Sequence, residues 1–285
     1  MKRLFSVFAI GAASIIGGAW VACAQQIELR TTLAYSTFVV GEPILFQVDV
    51  RNLTHRSFVV NQPGDKTRLF FEVTKGADYD ELRSIKDAPM VEPFLLKAGQ
   101  PYQFRTELDK WFALDAEGTY VMRVVLIYNG ARYESAKRTF DVVPGFNVKS
   151  GMQMFVNREK MTRTLKLVYW SRNEACRLFL RMTDEPSGRI WDTIDLGLFM
   201  RESEPKLDIA SDGEVTVIHR STQDAFIRTR VWSLVDAVEI VERNRLLDPE
   251  VSATQRMRML YGESLNGEKE DAAAAKEKKS WWKLW

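Results

Sequence analysis

The side chains best suited to chemistry are few and scattered in this 285-residue chain, which holds two histidines, His55 and His219, and two cysteines, Cys23 and Cys176. His55 sits in the polar stretch Thr54 to Ser57, a predicted loop, and His219 ends the predicted strand Val215 to Ile218. Neither has a second metal ligand at a local spacing, and no serine or cysteine lies in a nucleophile elbow. A catalytic site needs several groups that support one another, so both histidines are expected to be structural or solvent-exposed. Cys176 alternates with Leu178, Leu180 and Met182 on the apolar side of a strand. A thiol there is inert, because a reactive one needs exposure and a basic neighbour.

Carboxylates occur in two local groups, Asp192 with Asp195, and Asp78, Asp80 and Glu81. Both fall in or beside predicted surface segments, and Asp78-Tyr79-Asp80-Glu81 lacks the spacing and glycine of a calcium-binding EF-hand loop. No catalytic residue, metal ligand or cofactor follows from these positions, and the chain is read as non-enzymatic. An enzyme assembled only in three dimensions would need a pocket holding His219 or paired carboxylates at perturbed pKa.

Trp111, Trp170, Trp191 and Trp232 have the faces on which sugars stack and interfaces anchor. Trp170, Trp191 and Trp232 lie in predicted strands, where aromatic residues pack against the sheet. A carbohydrate-binding protein is the alternative, and it requires several of the four on one surface. Near them Arg158, Lys160, Arg163, Lys166, Arg172, Arg177 and Arg181 outnumber Glu159 and Glu174, an excess read as a solvated strand face.

The elements that carry these residues follow from residue patterning. Lys2 and Arg3 precede an apolar run from Leu4 to Val21 and then Ala22-Cys23-Ala24, the pattern of a secretory signal peptide over residues 1–24. Cleavage after Ala24 would make Gln25 the first mature residue. Cys23 could instead be lipidated, but Trp20-Val21-Ala22-Cys23 lacks the leucine of a lipobox, so this route is the less favoured. The remainder has equal numbers of basic and acidic residues and gives no general attraction to nucleic acid. It also has no second apolar run long enough for a membrane-spanning helix. With one cysteine left there is no disulfide framework.

Residues 27–144 read as successive short strands. Ile44, Phe46, Val48 and Val50 alternate with polar positions, as do Leu69, Phe71 and Val73. Tyr120, Met122, Val124, Leu126 and Tyr128 form an inward row ending at Asn129-Gly130, a tight-hairpin dipeptide, before a return strand through Tyr133 and Phe140. Leu114-Asp115-Ala116-Glu117-Gly118-Thr119-Tyr120 resembles the tyrosine corner of immunoglobulin-like domains. Gly41-Glu42-Pro43-Ile44 with Arg51-Asn52-Leu53-Thr54 is similar to segments of bacterial immunoglobulin-like, fibronectin-like and macroglobulin-type modules. The resemblance covers roughly residues 27–144 and implies a β-sandwich whose tyrosine hydroxyl bonds back to the preceding loop. Met122 stands where antibody-type domains carry a cysteine, so the inter-sheet disulfide is absent. Such sandwiches host many roles, and the likeness is nearly silent about function.

Val143 to Gly151 is the predicted boundary, followed over residues 152–247 by a second antiparallel β domain of about six strands. Hairpins are expected at Ser187-Gly188 and Asp212-Gly213, with further strands at Thr164 to Trp170, Ala225 to Trp232 and Val238 to Val241. Asp248 and Pro249 can start a helix over residues 248–262 that Gly262 ends. Residues 263–285 form a charged, partly disordered linker ending in Ser280-Trp281-Trp282-Lys283-Leu284-Trp285. Trp281, Trp282 and Trp285 are the one candidate binding cluster, suited to a membrane surface or a partner's groove. The chain is thus expected to be all-β, exported to the bacterial periplasm or cell surface, and to work by protein-protein contacts in the envelope.

Overall fold

The alternation of apolar and polar residues becomes an alternation of burial in the computed structural model, which describes residues 26–76, 80–86, 90–155 and 161–248. Eleven strands make the amino-terminal domain. In chain order they are β1 (Ile27–Leu33), β2 (Thr37–Val39), β3 (Leu45–Asn52), β4 (Phe58–Val60), β5 (Arg68–Lys75), β6 (Asp80–Glu81), β7 (Phe94–Leu96), β8 (Pro101–Glu107), β9 (Gly118–Tyr128), β10 (Ala131–Glu134) and β11 (Arg138–Val143). β1, β3 and β8 form one antiparallel sheet. A second runs β2, β11, β9, β5 and β6, with β10 also on β9 and a short β4–β7 pair standing apart. The β2–β11 pairing is parallel.

Both sheets turn their apolar rows onto one core that includes Phe46, Val48, Phe71, Val73, Met122, Val124 and Phe140. Phe46 and Phe71 meet edge to face at 5.5 Å, a preferred aromatic geometry. Tyr120 is fully buried, stacks on Phe140, and donates its hydroxyl to the Ala116 carbonyl at 2.6 Å. Asn129 and Gly130 both take positive φ and close the β9–β10 hairpin as expected. The return strand is interrupted: Glu134 pairs with Val125 and Arg138 with Met122, so the register slips across the intervening residues and divides it into β10 and β11.

The second domain contains eight strands rather than about six: β12 (Phe146–Met154), β13 (Thr162–Arg172), β14 (Ala175–Glu185), β15 (Arg189–Leu198), β16 (Lys206–Ile209), β17 (Glu214–Thr222), β18 (Ala225–Ser233) and β19 (Val238–Leu247). They form two four-stranded antiparallel sheets in chain order, β12 to β15 and β16 to β19. Leu165, Leu167, Leu178, Leu180, Val215, Val217 and Val231 belong to their shared core. The predicted boundary Val143 to Gly151 is therefore mostly strand. β12 is an outer strand with little burial, which is why its sequence lacks a clear alternation. Gly151 reads as a break but marks a close approach, since a Cβ there would lie 2.6 Å from Ile209 Cδ1.

The outer face of the β12–β15 sheet is partly covered by the first domain, with Val39 packing on Val168, Phe179 and Trp170. Arg172 crosses to Glu42 in a buried two-point ion pair, and its guanidinium lies 4.0 Å from the Tyr35 ring centroid. Thr193 donates its hydroxyl to the Val40 carbonyl at 3.0 Å. Gly41, at φ +80, has no room for a Cβ, which would sit 2.5 Å from Ile190 Cγ2. Among the described residues no helix is long and apolar enough to cross a membrane. The expected helix over residues 248–262 and the tail beyond it lie outside the described residues, apart from Asp248.

Candidate functional site

A groove of about 940 Å³ opens at one edge of the amino-terminal domain, between the β4–β5 connection and the chain that follows β6. It is larger than the concavities beside Asp49 and beside Thr74, of about 430 and 180 Å³. Asn61 shapes one wall. It takes a positive φ of 61°, its Nδ2 donates to the Val91 carbonyl at 2.9 Å, and its Oδ1 accepts the Leu69 N–H at 2.7 Å. The Pro63-Gly64-Asp65 turn follows, closed by Asp65 N–H to the Gln62 carbonyl.

The opposite wall forms because β6 leaves β5 early. Leu82 N–H still donates to the Val73 carbonyl at 2.8 Å, but Ile85 N–H already reaches the Trp111 carbonyl across the domain. The space left is lined by Phe70, Phe71, Leu82, Met90 and Phe112, with Arg68, Arg83 and Lys86 and the carboxylates Asp65 and Glu81 around it. Asp65 Oδ1 accepts the N–H of Lys66 and of Thr67. Lys86 lies over Trp111 at 4.9 Å. Among the described residues no histidine, cysteine or serine–base pair joins these groups, and the chemistry the lining offers is apolar contact, charge pairing and backbone hydrogen bonding.

The residues singled out from the sequence are dispersed. His55 is exposed. His219 faces the second core, 1% exposed, with Nε2 3.1 Å from the Leu198 carbonyl oxygen and Nδ1 without a hydrogen bond. Burial pushes its pKa down to about 4, so the neutral ring donates through Nε2. Half-buried Cys176 has its thiol pKa raised by burial. Burial also raises that of Asp192, whereas Asp195 accepts from the Arg177 guanidinium at 2.8 Å. Asp80 and Glu81 are exposed on β6, and Asp78 lies outside the described residues. Among the described residues no group of three histidine, cysteine, aspartate or glutamate side chains is placed to hold a metal.

All four tryptophans of the two domains are half-buried, and they do not converge. Trp111 packs on the first core, Trp170 at the domain junction, and Trp191 between Arg163 and Arg189. Trp232 alternates with buried Val231 and Ser233 on the far side of β18. Trp281, Trp282 and Trp285 lie outside the described residues.

The basic excess is not simply a solvated face. Arg163 is fully buried, with Nε 2.6 Å from Asp184 Oδ1 and Nη1 donating to Ser233 and the Leu234 carbonyl. Arg172 is covered by the first domain. A residue on the inner side of a strand, or under a neighbouring domain, is buried whatever its charge, and the cost is met by a carboxylate brought from afar. Residues 158 and 160 lie outside the described residues. The groove residues Asn61, Met90 and Phe112 had no sequence signal beyond the turn at Pro63-Gly64-Asp65, and the alternation of Leu69, Phe71 and Val73 marked Phe71 only as an inward strand position.

Together these features define a two-domain all-β protein with a groove at the edge of its first domain. No family model and no curated protein matches the chain. Among solved structures it is similar to the sporulation control protein Spo0M from Bacillus subtilis, at 11% identity and TM-score 0.29, over 85% of this chain and 98% of that one. The C-terminal domain of the Streptococcus agalactiae AgI/II polypeptide BspA gives 8% identity and TM-score 0.28, over 78% and 100%. At such TM-scores neither neighbour bears on the function of this chain.

Proposed function

We propose that this chain is an exported, non-enzymatic binding protein of the bacterial envelope, acting through protein-protein contacts made by the groove of an immunoglobulin-like first domain. The immunoglobulin-like reading is supported by the order β1-β3-β8 facing β11-β9-β5 and by the Tyr120 hydroxyl bonding back to Ala116. Export rests on the apolar run after Lys2 and Arg3, with cleavage after Ala24 placing the domains in the periplasm or at the cell surface. The observation that carries the binding role is the groove itself, which joins an apolar floor to basic groups without an ion-pair partner among the described residues. Apolar floors with a few polar groups at the rim are what ligand sites present.

A photo-cross-linking amino acid placed at position 83, on the groove rim, tests this in living cells. A control bears it at position 208, on exposed β16 of the other domain. A discrete protein adduct from position 83 and none from 208 is expected. The same adducts from both positions, or none from 83, would sink the proposal.

A further inference from the structure

Within the groove one stretch of β5 keeps an open edge. Val124 stands opposite Phe71 in the β5–β9 ladder. Yet Val124 donates its N–H to Ser135 Oγ at 2.9 Å and accepts the Ser135 N–H at 2.9 Å. A residue so occupied on its far side forms a non-hydrogen-bonded pair with its neighbour, so Phe71 directs its own N–H and C=O away from β9. The residues two before and two after confirm the direction. Leu69 sends its N–H to Asn61 Oδ1, and Val73 receives the Leu82 N–H. Between them the N–H and C=O of Phe71 and the C=O of Leu69 point into the groove and have no partner among the described residues. Groups of this kind are the template on which another strand forms.

We infer that the groove takes an extended segment of a partner protein as an added strand against β5, an inference that rests on the groove being the binding site. The partner residue facing Phe71 exchanges two hydrogen bonds with it, and a third joins the segment to the Leu69 carbonyl. Leu69 to Val73 spans about 13 Å in extended chain, which admits about three partner residues between the Asn61 and Leu82 stops. Alternate partner side chains then meet the Leu82, Met90 and Phe112 floor or the exposed side of Phe70. Arg68 stands at the Leu69 end and Arg83 at the Leu82 end, both exposed. An apolar, β-branched segment with a carboxylate at its flanks satisfies both features.

The probe is an acetylated and amidated hexapeptide of alternating valine and threonine with aspartate at each end, added to the full chain and followed by amide hydrogen exchange. In the free protein the Phe71 amide should exchange at least about tenfold faster than that of Leu69, which donates to Asn61 Oδ1, since Phe71 lacks an acceptor. The peptide should slow Phe71 exchange by about tenfold or more, methylation of its backbone nitrogens should abolish the effect, and lysine ends should weaken it. Equal protection of Phe71 and Leu69 in the free chain overturns strand addition. So does binding at the groove that tolerates N-methylation, although the groove-binding proposal then survives. Phe71 protection that appears only at high protein concentration, or that vanishes on truncation after Asp248, assigns the slot to a second copy or to the chain's own tail and overturns an external partner. Absence of a peptide effect overturns the partner chemistry alone if position 83 still cross-links, and the groove reading falls only with that cross-link.

Discussion

Arg172 and Glu42, 130 residues apart in sequence, meet across the domain junction with Nη1 to Oε1 at 2.9 Å and Nη2 to Oε2 at 2.6 Å. Both side chains are nearly inaccessible to water, and the same Oε2 accepts the Val39 N–H at 2.9 Å. Glu42 therefore fixes the turn after β2 and the second domain at once. Arg172→Met would leave a buried carboxylate without its cation. A loss of about 3 kcal/mol or more is expected, because breaking a buried pair from one side is costly. Adding Glu42→Leu should restore part of it. Denaturation of the two single variants and the double variant gives the coupling, and an unchanged midpoint for Arg172→Met would show that the junction bears no load.

His219 makes stability depend on pH with a definite sign. Its folded pKa of about 4 lies below the ordinary 6.5, so between these values the unfolded chain binds a proton that the folded chain refuses. The stabilisation is complete above pH 6.5 and is lost as pH falls toward 4, by about 3 kcal/mol in all. His219→Gln keeps a donor for the Leu198 carbonyl without the titration. Urea midpoints measured at pH 7 and pH 5 should fall less in this variant than in the parent chain, and parallel pH slopes would refute the assignment.

Tyr120→Phe removes one hydrogen bond, that to the Ala116 carbonyl, and leaves the ring on Phe140. The first domain should lose about 0.5–1.5 kcal/mol. Chemical denaturation checks it, and no shift in midpoint would mean that water replaces the contact without cost.

The terminal Trp281, Trp282 and Trp285 are proposed as an attachment to a membrane surface or to a partner's groove. A chain ending at Lys279 should lose liposome flotation or some of the proteins recovered from gently solubilised envelopes. If it loses neither, the tail is not an anchor.

Local pattern was enough to reveal the strands whose one face is buried and whose other is wet. Phe46, Val48 and Val50, the row from Tyr120 to Tyr128, and Leu178 with Leu180 and Met182 all declare themselves by a period of two, and all face a core. Asn129-Gly130 marks its hairpin because asparagine and glycine adopt positive φ more readily than other residues, and the tight turn needs it at both positions. β19 was legible only as far as Val241, although it runs to Leu247, because its later residues are mostly exposed and need no apolar alternation. What the tertiary structure decided is where one element covers another. Arg172 is buried because Tyr35, Phe38 and Glu42 lie over it, and Arg163 because Asp184 and the carbonyls of Leu234 and Val235 surround it. The groove exists because β6 departs from β5 after Leu82, and Phe71 is left open because Ser135 takes the hydrogen bonds of Val124. Periodicity along a strand records which side meets apolar surroundings. It carries no record of which distant segment supplies them, because that depends on long-range pairing among strands with similar alternation.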